Sequence, residues 1–548
     1  MLAFSATVFY GMNMKESKKE EDRRAGLKHK VREFTALKFR HWAQWEVEEQ
    51  FDHVFTQSIT FYGGKFHLKG DAFDTMERVR AHCPTRPFSG SETFNFLADS
   101  DTIVLNYQIK TQDEAWNTDW NVYFAKVNRT VTHTCITCQN RARKQQPVFT
   151  DDGRELYYLT MGIPQAESDK SNLVVMDLKT QQSKTFLSTW HLSPDQFVVT
   201  KKQVYLIASD RGTMKLFTLS LDSVANTPKE IPFQHGAVQQ IVGIVGDDVY
   251  VVSSDWNRPA EVYKMNSNAS TQVTHLNGKF LSQIDDTIVE EMWIKTSDGL
   301  EVQGWILYPH NLDRSKKTPA VLTLHGGPQG AWNNVWSYRW PAAVFAAYGY
   351  PIILVNPRGS SGYGIEFQRA VTGDWCGKPM DDDLEFLDAT IEKFSFIDGS
   401  AIGVMGASYG GFSTNWLVHT GRFKAAVSHD GLVDFKSFYY TTDEVFFAEM
   451  EFGGKPYDEP LPESYEKCSP INYIEQIEAP MLLIHGQQDF RIDWTQNMML
   501  FTGLQRRGIP SKLVLFDRAS HWVTNVNDWL YWMEIIFDQK EGWFAKYL

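Results

Sequence analysis

The hydrophobic pattern of this chain changes period near residue 285, and two periods require two kinds of domain. Before that point short β-like runs follow one another with few sustained helical patterns. Four of them begin alike: LADSDTIVLNYQ (97–108), TDDGRELYYLT (150–160), TKKQVYLIASD (200–210) and GDDVYVVSSD (246–255). Each sets a polar turn before a strand rich in Val, Ile, Leu and Tyr, and their starts at 97, 150, 200 and 246 are 53, 50 and 46 residues apart. A second strand-like run follows each, at 120–126, 172–178, 215–221 and 260–265. A multi-strand repeat of roughly 40–50 residues is the signature of β-propeller blades; an irregular all-β sandwich is the alternative. At about 50 residues per blade, 285 residues hold fewer than six. This predicts a partial propeller, a chain that is a fragment or a truncated gene model, and an open sheet edge that favours aggregation or pairing with a partner. The first ten residues, MLAFSATVFY, alternate like a strand and lack the basic start of a signal peptide. The charged stretch Met14–Arg40, with KESKKEEDRR, predicts a solvated helix or insertion.

From 286 onward, apolar strands at 290–296, 302–308, 320–324, 351–355, 401–405, 425–428, 480–485 and 512–516 alternate with helical patterns at 381–394, 411–419, 494–507 and 526–540. Such alternation implies a mostly parallel sheet covered on both faces. The expected organisation is a partial β-propeller over 1–285 and a doubly wound α/β domain over 286–548.

Composition removes several functions. The 54 basic and 67 acidic residues leave a net charge of −13 without a basic block, so a nucleic-acid partner is not expected. No apolar run is long enough to span a membrane; the stretch 342–355 is broken by Tyr348, Gly349, Tyr350 and Pro351. Eighteen Trp residues suit large antiparallel sheets and aromatic-lined cavities. Five cysteines are too few for a disulfide framework. Cys135 and Cys138 form one C-x-x-C without the second pair a zinc site needs, which favours a structural or surface role over metal or redox chemistry. Sequons at Asn128 and Asn268 hint at a secreted or lumenal protein, yet no signal peptide is present, and the compartment stays open.

Gly406-Ala407-Ser408-Tyr409-Gly410 is a G-x-S-x-G between an apolar strand and a helix, the placement of a nucleophile elbow. A serine hydroxyl needs a base, and the base needs an acid that holds its tautomer. On this scaffold the chain order is Ser, then acid, then His. His419 and His429 lie beside the elbow and read as structural, while His485 precedes every candidate acid. His521 follows the strand 512–516 and a short loop, which makes it the candidate base. Asp489, in the turn after 481–485, is the candidate acid, favoured over Asp493, whose place at a helix start suits an N-cap. The oxyanion donors are expected to be the backbone amides of Tyr409 and of Gly327, in the loop His325-Gly326-Gly327-Pro328.

Together HGGPQGAW (325–332), NPRGSSGYG (356–364), DDD (381–383), GASYGGF (406–412), HGQQDFRI (485–492) and SHW (520–522) resemble the prolyl oligopeptidase family of serine peptidases. The resemblance is greatest to the branch holding acylaminoacyl-peptidases and dipeptidyl peptidase five. GSETFNF (90–96) and DEAWNTDWNVY (113–123) resemble that branch more loosely. The resemblance implies an α/β-hydrolase closed by a β-propeller, with the active site between them, acting on short peptides. No metal or organic cofactor is implied, and a homo-oligomer is compatible with it. It also implies a substrate wall after the strand 425–428, where Val433, Phe435, Phe438 and Tyr440 stand; buried core is the competing role for each. Arg491, two residues after the acid, would pair with a carboxylate or brace the domain interface.

Release of dipeptides from free N-termini is the expected activity, with acylaminoacyl release or oligopeptidase action as the runner-up. An esterase, or a non-catalytic propeller scaffold, is further off. A dipeptidyl enzyme must hold a substrate ammonium, which a carboxylate with aromatic neighbours does best. Glu92, and Asp113-Glu114 beside Trp116, are the candidates; a solvated turn residue is the plainer reading of each acid.

Overall fold

The computed structural model describes residues 1–97, 101–127, 132–150, 152–221, 227–266 and 269–548. Asn128 and Asn268 of the two sequons lie outside the described residues. The chain divides into two compact units, one formed by residues 1–188 with 199–201 and 443–447, the other by 189–198, 202–442 and 448–548. No helix among the described residues is long and apolar enough to cross a membrane.

Among the described residues, the first unit carries three antiparallel sheets of three or four strands, besides the two-stranded pair Arg40–His41 and Gln44–Trp45. One joins Leu2–Phe9, Gln50–Tyr62 and Lys65–Asp74. The next two are four-stranded meanders, over Phe94–Phe96, Thr102–Gln108, Trp120–Lys126 and His133–Cys135, and over Lys144–Phe149, Glu155–Met161, Ser171–Asp177 and Ser183–Phe186. Strand side chains alternate between faces, so one strand can feed two cores. Ile103, Leu105 and Tyr107 pack with Val54 and Met76 of the first sheet region. Val104 points the other way, to Leu156, Tyr158 and Val174 of the third sheet. Burial on both faces is why Ile103, Val104 and Leu105 are apolar in succession without polar alternation. The charged segment begins as a helix, Met14–Ala25, closed by a capping box between Asn13 and Glu16, and it buries only Ser17. Cys135 and Cys138 close a disulfide, as do Cys376 and Cys468, so the cysteines form two separate cross-links and not a framework; Cys83 is a buried free thiol.

The second unit holds two further four-stranded meanders, Pro194–Val199 to Lys229–Ile231 and Ala237–Val245 to Ser270–Gln272, which share a core of Tyr205, Ile207, Leu216, Val238 and Val251. It also holds an eight-stranded sheet of β1 (Ile288–Lys295), β2 (Glu301–Tyr308), β3 (Thr318–Leu324), β4 (Ile352–Asn356), β5 (Ile397–Ala407), β6 (Ala425–His429), β7 (Met481–Gly486) and β8 (Ser511–Phe516). Their order is β1-β2-β4-β3-β5-β6-β7-β8, antiparallel at the first two junctions and parallel thereafter. Helices α1 (Ala342–Ala347), α2 (Lys378–Lys393), α3 (Tyr409–Leu417), α4 (Thr495–Arg506) and α5 (Val526–Phe537) accompany it. Val321, Leu354, Met405, Val427 and Ile484 meet Phe345 of α1 and Trp532, Ile536 and Phe537 of α5 in one core. This is an α/β-hydrolase sheet.

Register then sets the site. Leu324 pairs with Gly406, Ala407 with His429, His429 with Ile484, and Gly486 with Phe516. The loops after β3, β5, β6, β7 and β8 therefore leave the sheet at one level, at the carboxyl ends where parallel sheets bind ligands.

On the β2 side, Phe386 of α2 is fully buried, and a Cβ added to Gly304 would fall 2.5 Å from its ring. Phe386→Ala is expected to cost about 3–5 kcal/mol, read as a lowered urea midpoint; an unchanged midpoint would contradict this packing.

Candidate active site

Ser408 sits between β5 and α3 with φ 60° and ψ −120°, a conformation that non-glycine residues rarely adopt. The neighbouring glycines make the turn sterically feasible. A Cβ on Gly406 would lie 2.3 Å from Gly410 O, and one on Gly410 would lie 2.2 Å from Leu324 O. Ser408 remains partly exposed while its neighbours on both sides are buried. Its amide donates to Asp430 Oδ1 at 2.7 Å and to His429 O at 3.1 Å, which ties the turn to the end of β6.

Tyr409 opens α3, so its amide has no partner within the helix. Against the same serine lies the loop after β3: a Cβ on Gly326 would stand 3.3 Å from Ser408 Cβ and 3.9 Å from its Oγ. Gly327, at φ 135°, turns this loop. His325 holds it through Nδ1 to Gly326 O and Nε2 to Ser360 Oγ, both at 2.9 Å. Burial pushes His325 down to about 4, so it braces the loop as a neutral ring. Downstream, Gln329 donates to buried Glu451 at 2.9 Å. The amide of Asn334 donates to Gly212 O at 2.8 Å, which seats the same loop on the neighbouring meander.

Asp489 lies in the turn after β7 and is 1 % exposed. The Arg491 and Ile492 amides donate to its Oδ1 at 3.0 and 2.9 Å, and His521 Nδ1 meets its Oδ2 at 2.7 Å. Two loops must approach closely for this, and Gly486 permits it: a Cβ there would lie 2.1 Å from Ser520 O. The Gln487 and Gln488 amides then donate to Phe516 O at 3.0 Å and Ala519 O at 2.9 Å. Burial alone would raise the Asp489 carboxyl, but His521 and His485 outweigh it and hold the group well below the ordinary range. Burial alone would lower His521; Asp430 and Asp489 outweigh it and raise the ring above its usual 6.5. Asp493 accepts from the Thr495 amide at 3.1 Å and its hydroxyl at 2.6 Å, at the start of α4.

The remaining candidates are placed as follows. Val433, Phe435 and Phe438 are fully buried, with Phe435 stacked on Phe452 at 4.2 Å, whereas Tyr440 is exposed. Arg491 is buried beside Asp489. Glu92 is exposed and accepts from the Gly90 amide at 2.6 Å, a local turn contact. Glu114, beside half-buried Trp116, faces the buried Lys38 ammonium at 3.3 Å, with Glu444 Oε1 3.8 Å from the same nitrogen. Sequence reasoning missed Asp430 and Glu444. For Asp430 the available signal was an acid immediately after a strand that neighbours the nucleophile strand. Asp430, Asp489 and His521 offer ligand atoms within 4.8 Å of one another. That closeness follows from the hydrogen bonds just described and requires no ion.

Residues 336–548 match the family model described as the prolyl oligopeptidase family. The chain is 29% identical to dipeptidyl-peptidase 5 of Porphyromonas gingivalis over 556 residues, 99% of this chain and 78% of that one. It is 28% identical to dipeptidyl-peptidase 5 of Schizosaccharomyces pombe, over 92% of this chain and 74% of that one. Among solved structures, an acylaminoacyl peptidase of Pyrococcus horikoshii superposes with a TM-score of 0.72 at 21% identity, covering 90% of this chain and 76% of that one, a likeness of fold. The strained Ser408 turn and the Asp489–His521 pair both lie within residues 336–548, the part of the chain that matches the prolyl oligopeptidase family.

Proposed function

We propose that the chain releases dipeptides from the free N-termini of short peptides through an acyl-enzyme formed on Ser408. The observation that carries this reading is the similarity to dipeptidyl-peptidase 5 along 99% of the chain. The hydrogen bond of His521 to buried Asp489 supports the chemistry. In this mechanism Ser408 Oγ adds to the scissile carbonyl carbon while His521 Nε2 takes the hydroxyl proton. The Tyr409 and Gly327 amides donate to the oxyanion. Collapse breaks the C–N bond, and His521 returns the proton to the departing amine. Water then repeats the sequence on the ester and frees Ser408. Asp489 fixes the Nδ1–H tautomer and stabilises the imidazolium.

The successive antiparallel sheets of the N-terminal half, each sharing a core with a sequence neighbour, support a propeller reading with the hydrolase domain beginning near residue 286. For the substrate amine, Glu114 is the best of the candidates, since Asp113 pairs with Arg141 at 2.6 Å. Glu92 is spent on its own turn, whereas Glu114 and Glu444 already stabilise one buried ammonium. Burial alone would lower Lys38, but these two carboxylates outweigh it and raise its pKa.

A chromogenic Xaa-Ala panel with free and acetylated N-termini tests the reading. Free dipeptides are expected to be cleaved, N-acetylation to abolish turnover, and Ser408→Ala to remove the activity. Glu114→Gln is expected to raise KM for free dipeptides while leaving hydrolysis of a simple ester unchanged. Faster cleavage of acetylated aminoacyl substrates would instead identify an acylaminoacyl-peptidase.

A further inference from the structure

Asp430 follows β6 directly and is fully buried; it too falls between Ser408 and His521 in chain order, but the 2.7 Å bond to His521 Nδ1 is made by Asp489. Its backbone is held at φ 41°, a left-handed conformation in which a side chain is strained. Neither carboxylate oxygen points at solvent. Oδ1 accepts the Ser408 amide at 2.7 Å. Oδ2 has no hydrogen-bond partner among the described residues and lies 3.5 Å from His521 Nδ1 and 3.4 Å from His429 Nε2. A buried carboxylate oxygen left unbonded is costly, and such groups concentrate where charge has to be managed.

We propose that Asp430 is a positioning residue that anchors the nucleophile turn through Oδ1 and supplies His521 with a second carboxylate through Oδ2. This rests on the roles given above to Ser408 and His521. When His521 takes the serine proton, the imidazolium forms between two carboxylates, Asp489 at 2.7 Å and Asp430 at 3.5 Å. Around His521 stand Asp489 in the turn after β7, Asp430 and His429 at the end of β6, and Arg339 before α1, while His485 of β7 lies 3.4 Å from Asp489 Oδ2. His429 is pushed down to about 4 by burial and stays neutral, so it does not offset the Asp430 charge. Arg339 opposes protonation of His521, while Asp430 and Asp489 favour it. One residue thus fixes the nucleophile's backbone and biases the base beside it.

The sign of the pH effect follows. His521 must be neutral to accept the proton, so kcat/KM falls below its pKa, and a raised pKa puts the acid limb above 6.5. Removing one carboxylate lowers that pKa and moves the limb down. The test is the pH profile of kcat/KM on an uncharged ester, which keeps the substrate's own amine out of the titration. Asp430→Asn retains an oxygen for the Ser408 amide and removes the charge. It is expected to move the limb down by about one pH unit or more and to lower kcat, with KM within about twofold of wild type. A limb at the wild-type position overturns the proposal, whatever happens to kcat, because a merely structural role would change rate without changing basicity.

Should Asp430→Asn not fold, Asp489→Asn carries the test. Its residual hydrolysis should keep a limb near or above 6.5 if Asp430 still faces the ring. A limb well below 6 overturns the proposal, since burial alone drives a lone histidine down. Ester hydrolysis that survives Ser408→Ala would instead remove the reading of Ser408 on which the proposal rests, so the two failures are distinct.

Discussion

Close approach of backbone to backbone at the carboxyl ends of β3, β5 and β7 is the constraint on which the site depends. Gly410 lets α3 start against Leu324 O, and Gly486 lets the turn after β7 touch Ser520 O. A methyl group at either point would overlap a carbonyl oxygen. The strained φ of Ser408 is a consequence of the first approach, and the His521–Asp489 bond is a consequence of the second. Strain of this kind, on the order of 1–3 kcal/mol, persists because the packed sheet beneath it over-determines the turn. The Ser408 amide, which would otherwise be left to solvent, is absorbed by Asp430 and His429 O.

The electrostatics follow from the same crowding. Asp489, Asp430, His429, His485 and His521 are all buried within a few ångströms of the strand ends. Burial in itself would discharge Asp489, His429 and His521. At Asp489 the His521 and His485 rings outweigh it, and at His521 the Asp430 and Asp489 carboxylates do. Asp489 therefore stays ionised and His521 stays more basic than an ordinary histidine. At His325 and His429 burial wins and drives both rings down, so they stand as neutral groups.

The parts of this arrangement carried by local pattern were legible in the sequence. The repeated polar-turn-then-strand segments mark the second strand of each four-stranded sheet, and the elbow motif sits between β5 and α3 as its context implies. Outer strands such as Ser183–Phe186 were not legible, because three of its four residues are exposed and no alternation marks it. The hairpin Gln50–Asp74 turns at Gly63-Gly64, a signal the residue pattern did offer. Apolar character alone could not say whether Val433, Phe435 and Phe438 line a cavity or a core; helix packing against Phe452 and Trp375 buries Phe435. Asp430 was invisible for another reason. Its contact with Ser408 arises from the β5–β6 register, which only pairs residues once both strands are in place.

Intact-mass analysis after fluorophosphonate treatment, with the adduct mapped by peptide sequencing, measures the central claim most directly. The probe reacts only with a serine made nucleophilic by a neutral base beside it and an oxyanion site in front of it. One adduct on Ser408 is expected in the wild type, and none within the same time in His521→Ala. An unlabelled wild type, an adduct elsewhere, or undiminished labelling of His521→Ala would contradict it.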